Sequence, residues 1–254
     1  MRYADFVSQI AFRFIQVDDR LPFPEEFYIK RLHRIIRKGR TGIAERMGAA
    51  LEFWNTRFPE DDRPMKESLR DICHIPRMST LAIGGMINRA VREMADGESF
   101  VNVGVWHGFT FLSGIVGNPN KRCVAVDNFS QFGGPKREFQ SRFERLRSDR
   151  HLFYDMDCFE YFAHIHEGEI GFYIYDGEHS YKNQLEGLQA AEPFFSPHCL
   201  ILVDDTNWPE PRAATMDFMA GSNHRYEILL DMTTRHNCHP TVWNGVMILQ
   251  RQSR

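Results

Sequence analysis

Two stretches decide the architecture: Ile170-Gly171-Phe172-Tyr173-Ile174-Tyr175-Asp176-Gly177-Glu178-His179-Ser180-Tyr181 and Cys199-Leu200-Ile201-Leu202-Val203-Asp204-Asp205-Thr206. Each is an apolar run of strand length that stops abruptly on carboxylates, the pattern of a strand buried on both faces. The segment from Tyr181 to Phe195 between them has the length of a helix. Strand, helix, strand reads as a right-handed βαβ unit with parallel neighbours. The acids then stand at the carboxyl edge of the sheet, where open α/β folds bind ligands. Neighbouring strand ends lie about 4.8 Å apart. Asp176, Asp204 and Asp205 are thus placed to share one hard cation through oxygen, as Mg²⁺ requires. Without a cation, clustered carboxylates raise one another's pKa. The same acids also suit a solvated rim that caps the following helices.

Working outward, Ser99–Val103, Arg122–Val126 and His151–Tyr154 read as strands upstream, and Tyr226–Asp231 and Val242–Gln250 as strands downstream. The last two have no clear helix between them and are expected as an antiparallel pair at one edge. The first strand ends Asn102-Val103-Gly104-Val105-Trp106-His107-Gly108. A glycine just past a strand lets a ligand approach the backbone, and Gly108 opens the next helix. Alone, this segment equally suits a tight strand-to-helix turn. A nicotinamide site wants G-x-G-x-x-G, and Trp106 stands where the middle glycine belongs. The second strand ends on Asp127-Asn128, with Asp127 placed to accept hydrogen bonds from ribose hydroxyls or simply to face solvent. The third leads into Asp157-Cys158.

Residues 1–98 read as a helical extension or cap, and 99–254 as the α/β domain. Tyr3, Phe6, Val7, Ile10 and Phe14 form one apolar stripe at helical spacing. A second helix is expected from about Glu25 to Lys38, and Ile43, Met47, Leu51 and Trp54 mark a third. A short helix around Met65 to Cys73 follows. Another starts after Ser79 or Thr80 as N-cap, with Ile83, Ile87, Ala90, Val91 and Met94 inward.

Of 254 residues, 43% are hydrophobic and the net charge is −3, so no global basic field exists to hold nucleic acid or an anionic membrane. No apolar run approaches the roughly 20 residues a bilayer demands, and the N-terminus lacks the apolar core of a signal peptide. Five scattered cysteines without a C-x-x-C pair read as reduced thiols, and a cytoplasmic location is expected. Lys30, Arg31, Arg34, Arg37, Lys38 and Arg40 form a basic run that suits a solvated helix face better than an anionic partner. His164-x-His166 and His236-x-x-His239 lack a supporting ligand set.

On Asp176-Gly177-Glu178-His179-Ser180-Tyr181 and Val203-Asp204-Asp205-Thr206, the stretch from about Phe100 to Gln250 resembles the class I S-adenosylmethionine-dependent methyltransferases. It is similar to the metal-dependent O-methyltransferases that modify sugars and catechols. The resemblance implies a seven-stranded, mostly parallel, doubly wound sheet of order 3-2-1-4-5-7-6. It implies that Asn102, Gly104, Gly108, Asp127, Asn128, Asp157 and Cys158 bind S-adenosylmethionine. It also implies that Asp176, Asp204 and Asp205 hold Mg²⁺ or a similar divalent metal, and that Thr241–Val246 is part of the antiparallel seventh strand. A small-molecule acceptor would lose a proton to His179 or Asp176. From the residues alone, Trp106, Trp208 and the N-terminal helices suit the lining of its pocket and equally suit ordinary packing. The N-terminal helices would offer a homo-oligomer contact.

Three positions depart from that pattern. The family carries Glu or Asp where this chain has Asn102, and Trp106 is bulky for the loop. His179 stands where the catechol enzymes place a lysine. The rival readings are a cofactor- or partner-binding protein without catalysis, and a metal-dependent hydrolase or hydroxylase using the same aspartates.

Overall fold

Seven strands form one sheet in the computed structural model, which describes residues 1–21, 42–59 and 62–253. Strands β1 (Ala11–Phe12) and β2 (Thr56–Arg57) pair separately, outside it. The sheet holds β3 (Ser99–Val103), β4 (Arg122–Val126), β5 (His151–Tyr154), β6 (Ile170–Tyr175), β7 (Phe195–Asp204), β8 (Tyr226–Met232) and β9 (Val246–Arg251). Their order is β5-β4-β3-β6-β7-β9-β8. The first five run parallel, and β9 pairs antiparallel with both β7 and β8. Counted along the chain, this is the expected 3-2-1-4-5-7-6. The bounds of β3 to β6 are those read from the sequence. The seventh strand starts at Val246 and not Val242, because Gly245 and Trp243 adopt left-handed φ of 87° and 55° and turn the chain first.

Alternation along β7 shows why its stretch from Cys199 to Val203 is apolar throughout. Leu200 and Leu202 join one core cluster, while Ile201 and Val203 join the other. Side chains of successive strand residues point to opposite faces, and here both faces are covered. Helices α4 (Leu81–Glu93) and α5 (Phe109–Ile115) contribute Ile83, Ile87, Phe111 and Leu112 to the first cluster. The second face takes Tyr161 and Phe162 from α7 (Cys158–His164), Leu188 from α8 (Tyr181–Ala191) and Phe218 from α9 (Pro209–Gly221). Helix α6 (Lys136–Leu146) adds Phe139 and Phe143 to the first. Thr80 caps α4, accepting from the Ile83 amide, and Ile83, Ile87, Ala90, Val91 and Met94 are all buried, as their spacing implies.

The N-terminal stripe behaves differently. Helix α1 (Tyr3–Ser8) holds Tyr3, Phe6 and Val7 but not Phe14. The buried amide of Asn55 accepts from the Phe14 and Ile15 N–H groups and donates to the Ile15 carbonyl, holding the bend that follows β1. Helix α2 (Ile43–Asn55) forms where expected, yet Ile43 is 81% and Trp54 67% exposed. Its helical spacing therefore fixed the helix but not the side that packs. Helix α3 spans Arg63–Ser68, with a 3₁₀ turn at Ile72–His74. The chain start is tied down by Arg89, whose guanidinium meets both Asp62 oxygens at 3.0 and 2.9 Å and donates to the Met1 carbonyl. The expected helix of 25–38 and the basic run Lys30–Arg40 lie outside the described residues. No helix among the described residues is long and apolar enough to cross a membrane.

Candidate functional site

The ladder continues one residue past the strands and levels their ends. Gly104 N–H donates to the Val126 carbonyl, Asp127 N–H to Tyr154, and Asp176 N–H to Val103. Above these ends, where strand order reverses between β3 and β6, opens a crevice of about 750 Å³. Trp106, Phe129, Phe132, Asp205, Cys238 and Trp243 are the non-glycine residues of the described chain in the left-handed φ region, and all six line it. Backbone strain of this kind costs energy and collects at ligand sites.

On one side stands the glycine loop. At Gly104 (φ 75°), an added Cβ would sit within the carbonyl of Asp176, so its missing side chain serves the close approach of β6 as much as a ligand. Gly108 (φ 100°) precedes α5, and a Cβ there would meet Phe139 at 2.7 Å. It is not part of the crevice lining. The Asp127 carboxylate organises the loop from across the sheet. Its Oδ2 accepts from the Val105 and Trp106 amides at 2.8 and 2.9 Å, and its Oδ1 from the Phe129 amide at 2.7 Å. Trp106 Nε1–H donates to the Phe132 carbonyl, joining the two loops. Asn128, Asp157 and Cys158 also line the crevice. Asn128 accepts from the Ser130 amide and Asp157 caps α7 through the Phe159 amide. Asn102 is fully buried under this loop. Its amide nitrogen donates to the carbonyls of Val103 and Gly104, while its Oδ1 has no partner in the protein.

The opposite side gathers charge. His179 Nε2 lies 3.5 Å from Asp176 Oδ1 and 3.5 Å from Asp205 Oδ2, bridging carboxylates from the ends of β6 and β7. Asp205 Oδ1 accepts from Asn244 Nδ2 at 2.7 Å, and Asp204 Oδ1 from the Asp205 amide at 2.9 Å. Burial works against a charged His179, but the Asp176 contact and the charges of Asp205, Asp176 and Asp204 outweigh it and lift the imidazole to about 9. Burial raises Asp176 against the pull of His179. It raises Asp205 to about 6, again against His179, and raises Asp204 furthest with help from its acidic neighbours. Near neutral pH the site therefore holds an imidazolium clasped between acids.

That arrangement decides which groups fit. Among the described residues, no three His, Cys, Asp or Glu side chains are arranged to hold a metal ion. Locally, the imidazole of His179 occupies the gap between Asp176 and Asp205, and Asp204 turns to a backbone amide. The expected divalent ion on Asp176, Asp204 and Asp205 does not fit this geometry. An adenosylmethionine does. The volume is that of a small-molecule site, the buried Asn102 Oδ1 is an unused acceptor, and Asp127 retains one of its roughly four lone-pair sites. The strong acidity of the crevice also suits a cofactor with two positive groups and one negative.

The other candidates separate. His164 is exposed beside Glu160, whereas His166 is buried against the Tyr161 hydroxyl at 2.8 Å. His239 is buried, with Nδ1 2.6 Å from the Thr241 hydroxyl. Asn244 was missed by the sequence reading, although Asn244-Gly245 is a turn signal immediately before the last strand. None of the five cysteines forms a disulfide.

Residues 101–206 match a family model described as a methyltransferase domain. No curated protein matches the chain. Similar folds occur in a Corynebacterium glutamicum protein, at 13% identity over 90% of this chain and 98% of that one with a TM-score of 0.55. A Klebsiella pneumoniae protein assigned as an O-methyltransferase gives 11%, 90%, 96% and 0.52. The SAH-bound methyltransferase PaMTH1 of Podospora anserina gives 14%, 92%, 99% and 0.51. At such identities these structures speak for the fold alone: the chain carries the Rossmann-like sheet of the class I methyltransferases, and its residues 101–206 match a methyltransferase domain.

Proposed function

We propose that the protein transfers a methyl group to a hydroxyl of a sugar, polyol or small phenolic acceptor. The observation that carries this reading is His179 clasped between Asp176 and Asp205 at the crevice edge, one strand from the glycine loop. S-adenosylmethionine, when bound, supplies an electrophilic methyl on its sulfonium. Asn102 Oδ1 offers its acceptor to the cofactor ammonium, and the remaining lone pair of Asp127 takes a ribose hydroxyl. Gly104, Asn128, Asp157 and Cys158 complete the surroundings of the cofactor, while Gly108 packs against Phe139 outside the lining. Asp176 and His179 would seat the acceptor hydroxyl on the side of the crevice facing the glycine loop, so that positioning would supply much of the rate. Its proton passes to Asp176 while His179 is charged, and to the imidazole once that is neutral.

A divalent ion remains the competing occupant, because three carboxylates outnumber one imidazolium. It would require His179 to leave the gap. The test is methyl transfer from labelled S-adenosylmethionine to a panel of sugars and catechols, with His179→Gln beside wild type and excess EDTA beside buffer. Loss in His179→Gln and indifference to EDTA support the clasp. The reverse pattern supports the ion. A cytoplasmic location and an oligomer through the N-terminal helices belong to the same proposal and rest on composition and resemblance alone.

A further inference from the structure

The crevice as a whole carries a marked imbalance of charge. Seven Asp and Glu residues line the crevice against two basic side chains, Arg77 and His179, among the described residues. Neither is available to an anionic ligand. Arg77 is nearly buried, meets Glu52 at 2.7 Å, donates to the carbonyls of Ser79 and Cys73, and lies over the Phe109 ring. His179 is held by Asp176 and Asp205. Several acids are likewise committed to internal donors, Asp127 and Asp157 to backbone amides and Glu178 to Asn183. Glu210, exposed in the first turn of α9, carries its charge at the mouth.

Beside it stands Trp208, 40% exposed, its ring edge-on to His179 with centroids 6.2 Å apart. Its backbone is fixed. The Trp208 amide donates to the Asp205 carbonyl, and the preceding Asn207 is bonded to Asn244 and Thr234. An indole held open next to a proton acceptor offers a face for stacking. Such a face takes a neutral ring or sugar surface and attracts a cation.

We propose that the acceptor is a hydroxylated molecule without negative charge, stacked on Trp208 and screened by Glu210, so that phosphorylated or carboxylated analogues are turned away. This rests on the methyl-transfer reading above. With no uncommitted cation in the described lining, an anionic group would enter against unpaired negative charge, and like charges brought together across an interface are strongly unfavourable.

The experiment uses three probes that share one diol and differ in charge: dopamine, catechol and 3,4-dihydroxybenzoate. Each is titrated calorimetrically into protein saturated with S-adenosylhomocysteine, whose own binding is measured first. The benzoate is expected to bind about tenfold more weakly than dopamine, and Glu210→Lys to narrow that gap to about threefold. Trp208→Ala should weaken catechol about fivefold while leaving S-adenosylhomocysteine affinity unchanged. Equal or tighter binding of the benzoate overturns the proposal with the methyltransferase reading intact. An unchanged gap in Glu210→Lys removes Glu210 as the filter. Folded protein that fails to bind S-adenosylhomocysteine overturns both.

Discussion

The two sides of the crevice stand on the same sheet edge but satisfy their polar groups in opposite ways. Around Asp127, a single carboxylate accepts three backbone N–H groups, and Trp106 locks the neighbouring loop through its indole. Around Asp176, charged side chains face one another across 3.5 Å, and burial holds all three acids above the ordinary carboxylate range. The first side is a fixed cradle whose polar capacity is nearly used up. The second is a titrating cluster with capacity in surplus. A cofactor that keeps one shape suits the former, and proton transfer needs the latter.

The contrast breaks most violently at Gly104, which joins the two sides. Gly104→Val places a β-branched side chain at φ 75° against the Asp176 carbonyl. The expected cost is about 4 kcal/mol or more, overpacking plus a forbidden backbone conformation. Thermal unfolding should show a collapsed Tm or no folded protein. A variant that folds normally and merely loses cofactor would show that the glycine serves the ligand alone. Asp127→Ala removes the acceptor of three amides and should cost about 3 kcal/mol, since charged hydrogen bonds are worth about 1.5–3 kcal/mol each and water replaces part of them. Calorimetry should show weaker S-adenosylhomocysteine binding together with the fall in Tm. Affinity lost at unchanged Tm would place Asp127 on the ribose and not on the loop.

On the charged side, Asn244→Ala should cost about 1–2 kcal/mol by leaving Asp205 Oδ1 unpaired. By chemical denaturation it should rank well below Asp127→Ala. The pH dependence follows from the same cluster. Folded His179 holds its proton to about 9 against an ordinary 6.5, so its contribution to stability is fully present below pH 6.5 and lost as pH rises through 9. Asp205, raised from 3.8 to about 6, acts in the same sense at lower pH, its contribution present below 3.8 and gone above about 6. Between pH 6.5 and 9 the decline in Tm should thus belong chiefly to His179 and flatten in His179→Gln. A smaller effect still is expected from metal removal. Excess EDTA should leave Tm and S-adenosylhomocysteine affinity within about twofold, because only a ligand bound to the folded state shifts its stability. A large fall would return the divalent ion to the carboxylates.

The same contrast separates what could be read from the sequence. Strands β3 to β6 were legible to the residue because apolar runs such as Phe172–Tyr175 end abruptly on Asp176, and burial on both faces leaves no other solution for them. The acids at strand ends were legible for the same reason. What they do was less so. That Asp127 would turn to backbone amides, and that His179 would bridge Asp176 and Asp205, depend on loop conformations with left-handed Trp106 and Asp205, which no periodicity encodes. The N-terminal region misled for a further reason. Helical spacing in Ile43, Met47, Leu51 and Trp54 specifies a helix, but which face packs depends on the rest of the fold, and this stripe faces outward.

The cradle around Gly104 and Asp127 is expected to hold an adenosylmethionine without help from a metal. Calorimetric titration of wild-type protein with S-adenosylhomocysteine in excess EDTA tests it directly. The expected result is saturable binding at one molecule per chain, with the same affinity when Mg²⁺ replaces the chelator. Folded protein that gives no saturable heat, or that binds only once Mg²⁺ is restored, would contradict it.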